Sequence, residues 1–256
     1  MNDLFDLRGR VALITGGGRG LGRVMAEAFA DHGADVMIAS RKAETLETAA
    51  REISERTGRR IVPFVCHVGD WRQVDGLADA AYEEFGRVDI LVNNAGMSPL
   101  YPSPATVSEE LWHKVMDVNL TGPWRLSAVV GERMKAAGCG SIINLSSTAS
   151  LRPGPQEMPY GAAKAGINNL TASFAQALAP EVRVNCIMPG PFGTDISDAW
   201  SEEMQERLER IIPLGRIGDP SEIIGPALLL ASDAGSYVTG AVLRLDGGMS
   251  GVAGNG

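Results

Sequence analysis

Short apolar runs alternate along this chain with longer segments whose hydrophobic positions recur at helical spacing. Val11–Thr15 is an apolar, β-branched run that ends in glycines and predicts a buried strand. In Arg19–His32, Leu21, Met25, Ala28 and Phe29 share one helical face, with Gly33 as the stop. The alternation repeats through strand Asp35–Ser40, helix Glu44–Thr57, strand Ile61–Cys66, helix Trp71–Phe85 and strand Val88–Asn93. Pro63 predicts a sheet-edge position for the third strand. Ser108 to about Lys135 reads as one long helix or two, with a kink near Gly122-Pro123. Strand Ser141–Ser146, helix Tyr160–Leu178, strand Val182–Met188, helix Ser221–Leu230 and strand Ala241–Leu245 complete the series.

Apolar strands separated by helices predict an α/β fold. The expected form is a doubly wound parallel sheet of about seven strands, covered on both faces and closed by right-handed crossovers. No composition break or internal repeat divides the chain, so residues 1–256 read as one domain. The long irregular stretch from Pro189 to Pro220 follows a strand's C-terminal end and holds a short amphipathic helix. Its portion at about 190–220 reads as a lid over a substrate.

Composition narrows the function. With 45% hydrophobic and 21% charged residues, the chain is not disordered or a coiled coil. Lys+Arg 23 against Asp+Glu 31 leaves a net charge of −8, without the basic footprint of a nucleic-acid or anionic-membrane binder. Cys66, Cys139 and Cys186 are an odd, scattered set, which argues for a reducing compartment. No signal peptide or transmembrane run is evident, so cytoplasm is the expected address. His32, His67 and His113 lack ligand-like spacing, and no metal site is expected.

Thr15-Gly16-Gly17-Gly18-Arg19-Gly20-Leu21-Gly22 lies between the first strand and a helix. Glycines there permit a tight turn and close backbone approach, while the helix N-terminus offers free N–H groups to a pyrophosphate. Tyr160 and Lys164 are four apart and share a helix face. A free tyrosine has a pKa of about 10, and a neighbouring ammonium should lower it, giving a proton donor or acceptor for alcohol/carbonyl interconversion. Ser147 lies thirteen residues before Tyr160, just past the fifth strand. Both would then reach the C-terminal edge of the sheet, where open α/β proteins bind ligands.

The glycine spacing T-G-x-x-x-G-x-G resembles that of the short-chain dehydrogenase/reductase family. The other family motifs follow in order: Asn93-Asn94-Ala95-Gly96, Asn119, Ser147, Tyr160-Gly-Ala-Ala-Lys164, Pro189-Gly190 with Thr194, and Asp246-Gly247-Gly248. The match spans about residues 7–250. The resemblance implies an oxidoreductase in which Tyr160 is the acid/base and Ser147 hydrogen-bonds the substrate oxygen. It implies that Lys164 lowers the tyrosine pKa and holds the ribose, and that Asn119 fixes a relay water. Ser146 could stand in for Ser147, but the spacing to Tyr160 favours Ser147. The cofactor-binding set it implies is Gly16, Gly18, Arg19, Gly20, Leu21, Gly22, Ser40, Arg41, His67, Val68, Asn94, Ala95, Gly96, Tyr160, Lys164, Pro189, Gly190 and Thr194.

NAD binders place an acid at the end of the second strand; here that place holds Ser40, followed by Arg41. With Arg19 nearby, two guanidinium groups and no carboxylate suit a 2′-phosphate, so NADP(H) is the expected cofactor and NAD(H) the alternative. Where many family members have an Asp against the adenine, this chain has His67, whose neutral ring could accept from the adenine amino group or stack. The expected reaction interconverts a ketone or aldehyde and an alcohol. The substrate could be a 3-oxoacyl thioester, a sugar acid or polyol, or another small ketone. Met97, Tyr101, Thr148, Leu151, Arg152, Met158 and Phe192 are candidate substrate-side residues. Trp200, Met204, Leu208 and Ile211 form a stripe that would cover a pocket or pack in the core or between subunits. A non-enzymatic dinucleotide sensor would be marked by a broken tetrad, and an epimerase by a larger C-terminal region. The family resemblance implies a homotetramer or homodimer.

Overall fold

The computed structural model describes residues 4–195, 197 and 200–251. Seven strands form one sheet: β1 Val11–Thr15, β2 Asp35–Ser40, β3 Ile61–Val65, β4 Ile90–Asn93, β5 Gly140–Leu145, β6 Val182–Pro189 and β7 Val242–Leu245. Their order is β3-β2-β1-β4-β5-β6-β7, and every neighbouring pair is parallel. The chain winds outward from β1 in one direction and from β4 in the other. The crevice beyond the C-terminal ends of β1 and β4 is therefore the switch point at which such sheets bind ligands.

Alternate residues of each strand face opposite layers. Ile14, Ile38, Val92 and Ile143 pack with Phe29 and Leu46 beneath helices α1 (Gly20–Asp31), α2 (Ala43–Thr57) and α8 (Ile224–Ala231). Leu13, Met37, Leu91 and Ile142 pack on the other side against α3 (Trp71–Phe85), α5 (Gly122–Ala137) and α6 (Met158–Ala177). The sequence reads as near-continuous apolar runs because both faces are covered. Pro63 does sit on the edge strand β3. β4 begins at Ile90, two residues later than its apolar run, because the Asp89 carboxylate pairs with Arg87 and accepts the Val11 N–H at 2.8 Å.

The long helical stretch does not break at Gly122-Pro123. Helix α4 (Glu109–Met116) runs into α5 through a single π turn at Asp117–Thr121, with helical dihedrals on both sides. The Gly122 N–H bonds back to the Asp117 carbonyl, five residues away. Pro123 then falls in the first turn of α5, where its missing donor costs little. Between β6 and α8 the structure contains α7 (Glu202–Ile211), no residue of which is buried. Met204 and Ile211 on its stripe are 42% and 47% exposed, so the stripe does not pack in the core of this chain. Ile196, Asp198 and Ala199, in the expected lid, lie outside the described residues.

Candidate active site

The glycine loop after β1 is shaped by close packing. Gly16 has φ +69°, a left-handed value that a side chain resists, and a Cβ at Gly22 would come within 2.3 Å of the Gly16 carbonyl oxygen. By contrast, a Cβ at Gly18 would meet only ordinary contacts from 3.4 Å outward. The helix that follows has Arg19 as N-cap, with no side-chain cap and no acidic residue in its first turn. Its first N–H groups and positive dipole end are thus left to an outside anion. This cradle, which a Cβ would fill, fits the pyrophosphate of a dinucleotide.

Thr15 and Asn94 lock that loop to the turn after β4. The Thr15 hydroxyl accepts from the Asn94 and Ala95 N–H groups, both at 3.1 Å. The Asn94 amide donates back to the Thr15 carbonyl at 2.9 Å and lies 3.3 Å from that of Gly16. Thr15 was not among the residues singled out from sequence as cofactor contacts. Its place between a strand and a glycine run was the available signal. Asn93, one residue earlier, is buried and donates to Ser127 at 2.8 Å and Asn144 at 2.9 Å, so it fastens neighbouring elements together.

Toward the adenosine end, Ser40 closes β2 and Arg41 is exposed, with no ion pair among the described residues. Arg19 is engaged: its guanidinium meets the Asp195 carboxylate at 2.7 Å. Thr194 and Asp195 lie directly over Gly20, so the segment after β6 covers the start of α1. Pro189 ends β6, and the Gly190 N–H bonds to the Leu245 carbonyl at 2.9 Å. Leu21 opens α1 half-buried, and Val68 is buried. The His67 Nδ1 accepts the Gly69 N–H at 3.1 Å. A neutral ring then carries its proton on Nε2 and presents a donor there, the reverse of the acceptor expected from sequence.

Four polar residues converge beyond β4 and β5. Lys164 is 3% exposed; its Nζ donates to the Leu145 carbonyl at 2.7 Å and lies 5.7 Å from the centre of the Tyr160 ring. Burial pulls its pKa down to about 8. The adjacent Cys186 thiol is itself pushed up to about 12 by burial, so it gives the ammonium no counter-ion near neutrality. Burial also raises the Tyr160 phenol above its ordinary value, with the nearby Glu157 charge acting the same way and a Ser147 hydrogen bond opposing. The sequence predicts that lysine lowers this pKa; desolvation of the phenolate prevails instead.

Ser147 lies two residues past β5 in extended backbone, its hydroxyl accepting the Ala149 N–H at 3.1 Å. Ser146 points elsewhere: it is buried and donates to the Lys164 carbonyl at 3.1 Å. Asn119 stands in the π turn, fully buried. Its amide donates to Met97 and Val115 carbonyls, both at 2.9 Å, and its oxygen accepts the Met97 N–H at 3.2 Å. A Cβ on Gly96 would meet that oxygen at 3.0 Å and Lys164 Nζ at 3.6 Å, which brings Asn119, Gly96 and Lys164 to one point.

Comparison with known proteins agrees with this geometry. The family described as enoyl-(acyl carrier protein) reductase matches residues 16–250. A 3-oxoacyl-[acyl-carrier-protein] reductase of Chlamydia muridarum is 39% identical over 98% of this chain and 100% of its own length. A gluconate 5-dehydrogenase from Burkholderia cenocepacia, solved with NADP and tartrate, is 35% identical with a TM-score of 0.92, over 98% of this chain and 99% of that one. An NADPH-dependent 3-quinuclidinone reductase from Rhodotorula rubra is 32% identical with a TM-score of 0.93, over 98% and 96%. With the parallel sheet, the glycine cradle and the converging Asn119, Ser147, Tyr160 and Lys164, these matches make the chain a member of the short-chain dehydrogenase/reductase family, an oxidoreductase acting on CH–OH groups.

Proposed function

We propose that this enzyme is an NADP(H)-dependent oxidoreductase that interconverts a ketone or aldehyde and an alcohol, with Tyr160 as the acid/base. The observation that carries the reading is the buried Lys164 ammonium beside the Tyr160 ring, 5.7 Å from its centre. The bound cofactor would supply or accept the hydride. Ser147 and Tyr160 hold the substrate oxygen from one side. Tyr160 donates its proton as negative charge develops on that oxygen, and the raised phenol pKa keeps the proton in place until then. Lys164 stabilises the phenolate that remains. The Asn119 side chain is spent on Met97 and Val115, so a relay water would be held by its backbone carbonyl or the second lone pair of its oxygen.

The cofactor would be held by the Gly16–Gly22 loop, the Asn94–Gly96 turn, Val68, the Pro189–Thr194 segment, Tyr160 and Lys164. Arg41, exposed next to Ser40, supports a 2′-phosphate. Arg19 would join it by leaving Asp195, and the Nε2–H of His67 would donate to the adenine. Leu151 and Met158, 47% and 45% exposed beside the tetrad, suit a medium-sized carbonyl compound over a bare sugar. The enzyme would work as a homotetramer or homodimer in the cytoplasm, where its three free cysteines stay reduced. No helix among the described residues is long and apolar enough to cross a membrane.

The test is a panel of ethyl acetoacetate, an acetoacetyl thioester, cyclohexanone and erythrulose, with their alcohols, followed by nicotinamide absorbance with both cofactors. Turnover with NADPH above NADH supports the reading. No turnover across the panel, or a clear NADH preference, overturns it.

A further inference from the structure

Helix α6 begins Met158-Pro159-Tyr160, so the acid/base lies in its first turn. The first N–H groups of a helix have no partner within it. Pro159 has no N–H, and Glu157 at the N-cap makes no side-chain cap. The Met158 N–H instead donates to the Tyr101 hydroxyl at 2.7 Å. Tyr101 is only 6% exposed, and the bond is partly buried. Two weaker ties run beside it: Tyr101 N–H to the Gln156 carbonyl at 3.4 Å, and the Ser98 hydroxyl to the Glu157 carboxylate at 3.2 Å.

The other end of the same loop is fixed as well. Met97 is bonded through both its N–H and its carbonyl to the Asn119 side chain, and the Asn94–Gly96 turn precedes it. The segment from Met97 to Tyr101 therefore spans from the π turn to the start of α6. Tyr101 is also a candidate substrate-side residue; its ring is buried, and its hydroxyl accepts from backbone while keeping its own proton to donate.

We propose that Tyr101 is a positioning residue for the reaction: its hydroxyl fastens the first turn of α6 to the loop after β4 and so holds Tyr160 in register with the cofactor-facing turn. This rests on the role proposed above for Tyr160. A reacting group displaced by about 1 Å can lose much of its rate, so a tether one turn away matters. Tyr101→Phe removes only the oxygen and keeps the ring.

Two measurements on the full-length enzyme test this. Hydrogen–deuterium exchange should show the amides of segment 157–163 exchanging about tenfold faster in Y101F, with the rest of α6 unchanged. At saturating NADPH, kcat for the best carbonyl of the panel should fall about three- to tenfold with KM nearly constant. The isotope effect from 4-deuterated NADPH should also rise. A purely structural role would lower Tm but leave kcat and the isotope effect alone well below the melting point. Unchanged exchange overturns the tether, and wild-type kcat despite faster exchange overturns the positioning role. If the wild-type enzyme turns over nothing in the panel, the functional reading fails with it, and the exchange experiment still decides whether the tether exists.

Discussion

Replacing Lys164 with methionine should separate stability from activity in a pH-dependent way. Methionine keeps an unbranched stem of similar length and removes the charge. Lys164 is buried, and its pKa falls from an ordinary 10.5 to about 8 because an ammonium is poorly solvated there. At about 1.36 kcal/mol per unit, holding that charge inside costs the fold about 3 kcal/mol below pH 8. Against this, the substitution leaves the Leu145 carbonyl without its donor, worth about 1–3 kcal/mol. At pH 7 the variant should therefore be as stable as the wild type, or more so by up to about 2 kcal/mol, while turnover is lost. The sign of the pH dependence is fixed. Between pH 8 and 10.5 the unfolded wild-type chain holds more protons at this lysine than the folded one, so wild-type stability gains on the variant as pH rises. Cys66, pushed up to about 11, and Cys186, pushed up to about 12, titrate in both proteins and largely cancel in the difference. Urea unfolding of the two proteins from pH 7 to 10.5 measures it. The stability difference should shift by about 3 kcal/mol toward the wild type; a difference constant with pH would refute the buried-ammonium argument.

Tyr160→Phe should abolish turnover of every panel substrate while NADPH titrations stay within about twofold of wild type, because the ring and its packing survive; near wild-type rates would end the acid/base assignment. Arg41→Ala should weaken NADPH binding about tenfold or more and NADH binding far less, since a charge-assisted phosphate contact is lost with only one of them. Equal losses in fluorescence titrations would contradict the 2′-phosphate reading. Gly22→Ala would drive a Cβ to 2.3 Å from the Gly16 carbonyl oxygen and 2.4 Å from the Asn94 amide nitrogen. It should cost about 1–3 kcal/mol and remove the Tm gain that NADPH gives, read by thermal melts with and without cofactor.

The parallel sheet was legible because the inner strands are apolar on both faces and each glycine stop follows a helical stripe; even the edge place of β3 could be read from Pro63. Boundaries drifted where side chains compete with the ladder, as Asp89 does at the start of β4. The π turn was not legible. Gly122 and Pro123 look like a break, and only the Val68 carbonyl, 1.9 Å from where a Gly122 Cβ would be, shows how tightly that glycine is packed. Within the site, the order of the motifs pointed to the residues that converge. Hydrogen-bond direction was hidden: nothing in the spacing shows that His67 Nδ1 is taken by Gly69, or that Asp195 holds Arg19. The first is a local turn whose ring orientation no residue pattern encodes, and the second joins residues far apart in the chain through the path of the segment after β6.

Pro63 has a bearing on how copies of this protein avoid one another. The Cys66 N–H points inward to the Ser40 carbonyl, and strand alternation then turns the N position of residue 63 outward. There a proline offers an incoming chain no donor and puts a ring where it would dock. That margin of the sheet is protected against fibril-like growth, and any self-association through strand pairing would have to begin at the opposite margin, along β7.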